Sequence, residues 1–256
     1  KKFPRMSFPI DIREQAGVRT LHFGSDWIQG AMRIARPWRL ELDYTREMMI
    51  SLLLRDHADF PRTVLLIGLG AASLTKFIYR HYPQAELTVV EIEPRVVAAA
   101  RQFFKLPQDS PRLNIVIADG SQYIAGHDTT YDLILVDGFD ANARPGELNK
   151  LPFYRMCRAR LNHDGILAVN LLGRSRGYQA SLERIKTSFD QRALAFPSCD
   201  SGNVIALAAT GEKIEITLNE LKKQALGLKT KTDLNLLPAL ARLEQARSCT
   251  GGILTI

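Results

Sequence analysis

Cysteine is scarce in this sequence. Cys157, Cys199 and Cys249 are the whole set, an odd number without a Cys-x-x-Cys spacing, which excludes a disulfide framework and a thiolate zinc site as organising devices. The five histidines, His22, His57, His81, His127 and His163, stand at no ligand-like interval, so no metal is expected. Long apolar runs are also missing. A bilayer span takes about 20 apolar residues, and the longest stretches here are cut by charges such as Arg55, Asp56 and Arg80, so no membrane partner is expected. The basic opening Lys1-Lys2-Phe3-Pro4-Arg5 is not followed by the apolar segment of a secretion signal, and the cysteine usage suits a reducing cytoplasm. Positive charge is in excess, formally +7. Its arginines come in small groups (Arg33, Arg36, Arg39; Arg155, Arg158, Arg160; Arg174, Arg176), without the basic run or interleaved aromatics of a nucleic-acid motif. A solvated basic surface is the favoured reading, and nucleic acid is not an expected partner.

What is present is an alternating α/β pattern. With 256 residues, 46% of them hydrophobic, the chain suffices for one sizeable α/β domain with appendages. Residues 63–68, Thr-Val-Leu-Leu-Ile-Gly, form an apolar run closed by glycine, and 74–82 carry helical spacing. The unit repeats, with strands at 87–92, 113–118, 132–137 and 165–171 and helices at 95–104, 120–125, 152–161 and 177–189. Such alternation makes a parallel sheet with helices on both faces. Residues 191–196 and 203–209 are both strand-like and only Pro197-Ser198-Cys199-Asp200-Ser201-Gly202 joins them, a link that permits only an antiparallel pair. The fold class is therefore α/β of the methyltransferase type: a Rossmann-like, mainly parallel seven-stranded sheet that ends in an antiparallel hairpin. A dehydrogenase would need another crossover helix instead. Residues 1–55 read as a small N-terminal β lobe, with strands and turns over 18–39, plus a connecting helix over roughly 41–55. Residues 56–212 form the nucleoside-binding domain. Residues 213–256 form a helical extension, capped by Thr217 and with Pro238 near the start of its last helix, packed on the core or on a partner subunit.

The chemistry-bearing residues fall at the ends of these strands. In Gly68-Leu69-Gly70-Ala71-Ala72-Ser73 the first strand turns into a helix whose N-terminus offers free N–H groups, although glycine also serves ordinary strand-to-helix turns. Glu91 follows at the end of the second strand, where a carboxylate can accept both hydroxyl protons of a ribose. Asp119, before Gly120, ends the third strand; it can accept an adenine amino proton, cap the next helix, or do both. Asp137-Gly138-Phe139-Asp140 puts two acids at the end of the fourth strand, where open α/β sheets bind ligands and where acids also make turns.

Several stretches make the chain similar to the spermidine synthase (polyamine aminopropyltransferase) family. Val89-Val90-Glu91-Ile92-Glu93-Pro94-Arg95-Val96-Val97 resembles its ribose-binding segment, and Tyr131 to Asp140 resembles its catalytic strand and Asp-x-x-Asp loop. Phe153-Tyr154 and Asp164-Gly165-Ile166-Leu167 sit at family-like intervals, Trp27-Ile28-Gln29-Gly30 resembles the segment with the glutamine near the cofactor sulfur, and Tyr44-Thr45-Arg46-Glu47-Met48 resembles its Tyr-His-Glu-Met segment. The similarity spans about 25–210. By resemblance, Gln29, Gly68, Gly70, Glu91, Asp119, Gly120 and Asp137 would bind the cofactor, with Glu91 on the ribose and Asp119 on the adenine. Asp137 would receive a proton from the attacking amine, and Asp140 would help to hold the loop or the amine. The reaction implied is aminopropyl transfer from decarboxylated S-adenosylmethionine to a small-molecule amine, with methylthioadenosine as product; a homodimer is expected.

The departures all lie on the amine side. The family's Gly-Gly-Gly-Asp-Gly-Gly turn has Ala71 in place of its acid, its later glutamine is Asn170, and Thr45 and Arg46 replace Tyr-His. A missing partner for a buried ammonium costs on the order of 3–5 kcal/mol, which predicts weak use of putrescine and opens the site to intact S-adenosylmethionine. Two other readings stay open: a methyltransferase or aminocarboxypropyl transferase using the intact cofactor, and a non-catalytic nucleoside-binding protein.

Overall fold

A computed structural model describes residues 8–57, 59–108, 110–139, 144–173, 177–197, 202–245 and 249–256. Three short strands open it: β1 (Asp11–Gln15), β2 (Val18–His22) and β3 (Gly30–Arg33), paired antiparallel in that order. The connecting helix expected over 41–55 is divided into α1 (Asp43–Met48) and a 3-10 turn over Met49–Leu53, all five residues of which are buried.

The central sheet contains β4 (Thr63–Ile67), β5 (Glu86–Glu91), β6 (Leu113–Ile117), β7 (Tyr131–Val136), β8 (Leu161–Leu172), β9 (Ala193–Pro197) and β10 (Asn203–Ala209). Their order is β6-β5-β4-β7-β8-β10-β9, and β10 alone runs against the others. Crossover helices α2 (Ser73–His81), α3 (Pro94–Phe103), α4 (Gly120–Gly126), α5 (Leu151–Ala159) and α6 (Gly177–Ser188) link the strands. Because the central strands are covered on both faces, they read as continuous apolar runs. Val64, Leu66, Leu133 and Leu135 pack with α2, α3 and the N-terminal lobe, whereas Leu65, Ile67, Ile134 and Val136 pack with α4 and α5. Strand β8 starts at Leu161, before the expected 165: Leu161 pairs with Tyr131 and Ile166 with Leu133, and the polar stretch Asn162-His163-Asp164 falls in the register irregularity between them.

The C-terminal extension is more than helical. Strand β11 (Glu215–Thr217) leads into α7 (Leu218–Thr232), with Thr217 and Glu220 forming a reciprocal capping box. After α8 (Leu237–Gln245), β12 (Cys249–Thr250) and β13 (Ile253–Thr255) return to make a sheet in the order β11-β13-β12. Leu221, Leu228, Leu240, Leu243 and Leu254 join the same buried cluster as α2 and the N-terminal lobe, so the extension packs on its own core. Among the described residues, no helix is long and apolar enough to cross a membrane.

Candidate active site

The carboxyl ends of β6, β5, β4 and β7 lie side by side and bring Asp119, Glu91, the glycine-rich turn and Asp137 to one sheet edge. The turn is built from close backbone approaches. Gly68 has φ +96, and a Cβ there would stand 2.1 Å from the Asp137 carbonyl oxygen. Gly68 N–H donates to Val90 O and Asp137 N–H to Ile67 O, both at 2.9 Å, which ties the turn to its neighbours. Gly70, φ +51, faces the Gln29 carbonyl, 3.0 Å from where its Cβ would be, and Gln29 N–H donates to Leu21 O at 2.8 Å. Gln29 thus stands directly over the turn. Ala72, at φ +55, caps α2.

Glu91 does more than end a strand. Its Oε2 accepts from Leu69 N–H and its Oε1 from Glu93 N–H, each at 2.9 Å, so the buried carboxylate braces the turn from below. Burial pushes its pKa up, and the N–H groups of Glu93, Leu69 and Ile92 oppose that shift. A carboxylate has about four acceptor positions, so these three N–H groups leave about one for a ligand hydroxyl.

Asp119 adopts the capping role: its Oδ1 accepts from Gln122 N–H at 2.9 Å. Gly120 has a packing reason, since a Cβ would lie 2.4 Å from Ile67 Cγ2. Leu148, on a 3-10 turn over Gly146–Asn149, lies against both Gly120 and Gly138.

Asp137 is held on both oxygens. Tyr44 Oη donates to its Oδ2 at 3.0 Å and Asn170 Nδ2 to its Oδ1 at 2.8 Å, and Asn203 Nδ2 in turn donates to Asn170 Oδ1 at 2.6 Å. Desolvation raises the Asp137 pKa, against the two donated hydrogen bonds. Burial and the neighbouring carboxylate push the Tyr44 phenol well up, so it remains a donor. Asp140 lies outside the described residues.

Three residues read as departures take new places. Ala71 is 2% exposed, and a Cβ built on Gly30 would stand 2.6 Å from its methyl. Thr45 Oγ1 donates to Leu42 O at 2.6 Å. Arg46 turns into its own loop, donating to Leu40 O, Glu41 O and Asp43 Oδ1 at 2.8–2.9 Å. The sequence reading missed Tyr44 as the partner of Asp137 and Asn203 altogether. A tyrosine one place ahead of the family-like position was the signal for the first, and an asparagine opening the apolar run Val204 to Ala209 for the second. Among the described residues, no group of three or more His, Cys, Asp or Glu is placed to hold a metal ion.

Residues 42–191 match the spermine/spermidine synthase domain. A polyamine aminopropyltransferase of Neisseria meningitidis serogroup A is 36% identical over 248 residues, covering 96% of this chain and 94% of that relative. Of solved structures, a probable spermidine synthase from Corynebacterium glutamicum superposes with a TM-score of 0.71 at 18% identity, over 86% of this chain and 85% of the other. Human methyltransferase-like protein 13, solved in complex with SAH, gives a TM-score of 0.68 at 25% identity, over 75% and 93%.

Proposed function

Because this chain belongs to the spermine/spermidine synthase family and is a transferase of the aminopropyltransferase kind, we propose that its donor is decarboxylated S-adenosylmethionine and its acceptor a small amine held before Asp137. The observation that carries this reading is the Asp137 carboxylate, gripped on both oxygens by Tyr44 and Asn170 beside the glycine-rich turn. Four neighbouring strand ends span about 14 Å at the usual strand spacing, the reach of a nucleoside carrying a short chain. The residues fit that group: Glu91 keeps an acceptor position for a ribose hydroxyl, Asp119 keeps one oxygen for an exocyclic amine, and Gly68 and Gly70 keep side chains out of the turn. The donor supplies a sulfonium leaving group.

In this scheme the acceptor nitrogen forms its new bond to the carbon beside sulfur while the carbon–sulfur pair leaves as the thioether of methylthioadenosine. Asp137 takes the proton that the nitrogen gives up. Burial strengthens it as a base, and Tyr44 and Asn170 keep it ionised and aimed. Asp140 is proposed, on the sequence alone, to help hold the loop or the amine. Ala71, where the family has an acid, favours intact S-adenosylmethionine as a second donor, giving aminocarboxypropyl transfer.

The test is incubation of the purified protein with each donor and a series of amines, with methylthioadenosine and amine products followed by mass spectrometry. Equal formation of methylthioadenosine and an aminopropylated amine is expected, and Asp137→Asn should lower transfer by about 10²–10⁴-fold while still binding methylthioadenosine. Release of S-adenosylhomocysteine with a methylated product would replace this reading by methyl transfer.

A further inference from the structure

Asn203 opens β10 and Asn170 lies on β8, in a register that pairs Asn203 with Leu172 and Ile205 with Asn170. The two asparagines are therefore diagonal neighbours on one face of an antiparallel pair, within side-chain reach. Both are buried, at 8% and 5% exposure. The hydrogen bonds run in one direction, Asn203 Nδ2 to Asn170 Oδ1 at 2.6 Å and Asn170 Nδ2 to Asp137 Oδ1 at 2.8 Å. An amide has a donor end and an acceptor end. If Asn170 turned over, its carbonyl oxygen would meet the Asp137 carboxylate and its NH2 would meet the NH2 of Asn203, two like-to-like contacts at once.

We propose that Asn203 is a positioning residue: it fixes the Asn170 amide with its NH2 towards Asp137 and so holds Asp137 as an ionised proton acceptor. The inference rests on the aminopropyl-transfer reading for its consequence in turnover. Without Asn203, the buried Asn170 oxygen loses its donor, and only Asp137 itself still opposes the turned-over amide. The amide is held less firmly, its hydrogen bond to Asp137 weakens, and Asp137 takes up a proton more readily. Tyr44, from α1, is the titratable group that touches Asp137 among the described residues. Its raised pKa keeps it protonated through the range of the test, so it does not titrate alongside.

Asp137 can be followed directly by carbon NMR of aspartate-labelled protein titrated with acid, in parallel with the pH dependence of kcat. The series is wild type, Asn203→Leu, Asn203→Ser, Asn170→Leu and the double variant Asn170→Leu/Asn203→Leu. Asn203→Ser is too short to reach Asn170 and adds no apolar bulk, which covers the case where Asn203→Leu does not fold. Both Asn203 variants should bind the Asp137 proton about tenfold more tightly, a shift of about one pH unit, as expected for a lost hydrogen bond to a charged group. The acid limb of kcat should move by the same amount, with methylthioadenosine affinity unchanged. The double variant should titrate like Asn170→Leu alone, because Asn203 acts only through Asn170. If Asn170→Leu moves the Asp137 midpoint and neither Asn203 variant does, Asn203 merely fills space and the proposal falls. Full additivity in the double variant overturns it equally. Should the wild type make no aminopropylated product while the midpoints move as stated, the assigned reaction fails and the positioning role stands.

Discussion

Gly68→Ala probes the join between the glycine-rich turn and Asp137. The methyl group would be built 2.1 Å from the Asp137 carbonyl oxygen, 2.7 Å from its carbonyl carbon and 3.2 Å from Gly138 Cα. These are backbone atoms, so no rotamer change can make room. The closest approach that real Cβ atoms make is about 3.0 Å, so the strands must part by close to 0.9 Å at this point. The backbone itself adds a cost, because φ at position 68 is +96, a region that only glycine occupies freely. Overpacking of about 1–3 kcal/mol and backbone strain of about 1–3 kcal/mol together predict a loss of roughly 2–6 kcal/mol in urea unfolding. Asp137 is displaced by the same clash, and a misplacement of about 1 Å can cost about 100-fold in rate. The expectation is a destabilised protein that, at a temperature where it is still folded, shows kcat down on the order of 100-fold. Wild-type stability with wild-type kcat would mean that the turn does not approach Asp137 as described.

Three further outcomes follow from buried groups. Glu91→Gln turns an NH2 towards either Leu69 N–H or Glu93 N–H, both now donors to the carboxylate; a loss of about 1–3 kcal/mol should be seen in denaturation, with methylthioadenosine affinity lowered in calorimetry. Lys76, 1% exposed, donates its ammonium to Phe104 O at 2.7 Å, and burial lowers its pKa to about 7. The native state therefore binds fewer protons than the unfolded state from about pH 7 up to the ordinary lysine value of 10.5, so this residue's contribution to stability rises with pH across that window. Urea unfolding of wild type and Lys76→Met should diverge between pH 6.5 and 9.5, in favour of wild type at the higher pH, and parallel curves would refute the assignment. Arg242 on α8 pairs with Glu47, which is 1% exposed on α1; Arg242→Met leaves a buried carboxylate without this partner and should cost about 3 kcal/mol, measured by the same unfolding assay.

Much of the sheet was legible because its strands are buried on both faces and end in glycine or an acid, so each βα unit carries its own punctuation. Thr217 and Pro238 marked the starts of α7 and α8 for the same local reason. The small sheet of β11, β13 and β12 was not legible, since strands of two or three residues have no periodicity and the helical composition of 218–232 dominates the segment. The start of β8 was hidden because the polar Asn162-His163-Asp164 sits in a register irregularity that separates Leu161 from the apolar run. At the site, the acids were legible as strand-end residues, but their partners were not: Tyr44 lies 93 residues from Asp137, and Asn203 lies 33 from Asn170. Such pairings depend on which strands become neighbours, and no short-range pattern reports that.

The departures on the amine side gain a different meaning once the helix α1 is in place. Successive residues on a helix point about 100° apart, so a tyrosine at 44 cannot stand in for one at 45 by pointing the same way; it reaches Asp137 from another part of the helix face. Tyr44 supplies a phenolic donor to the Asp137 carboxylate, while Thr45 turns its hydroxyl to Leu42 O. Arg46 bears on the same question. A permanently charged guanidinium beside Asp137 would compete with an ammonium for the carboxylate, yet its three nitrogens are held by Leu40 O, Glu41 O and Asp43. The substitution therefore adds no cation in contact with Asp137. Ala71 has its buried methyl against Gly30, so a larger side chain introduced there would press on the start of β3.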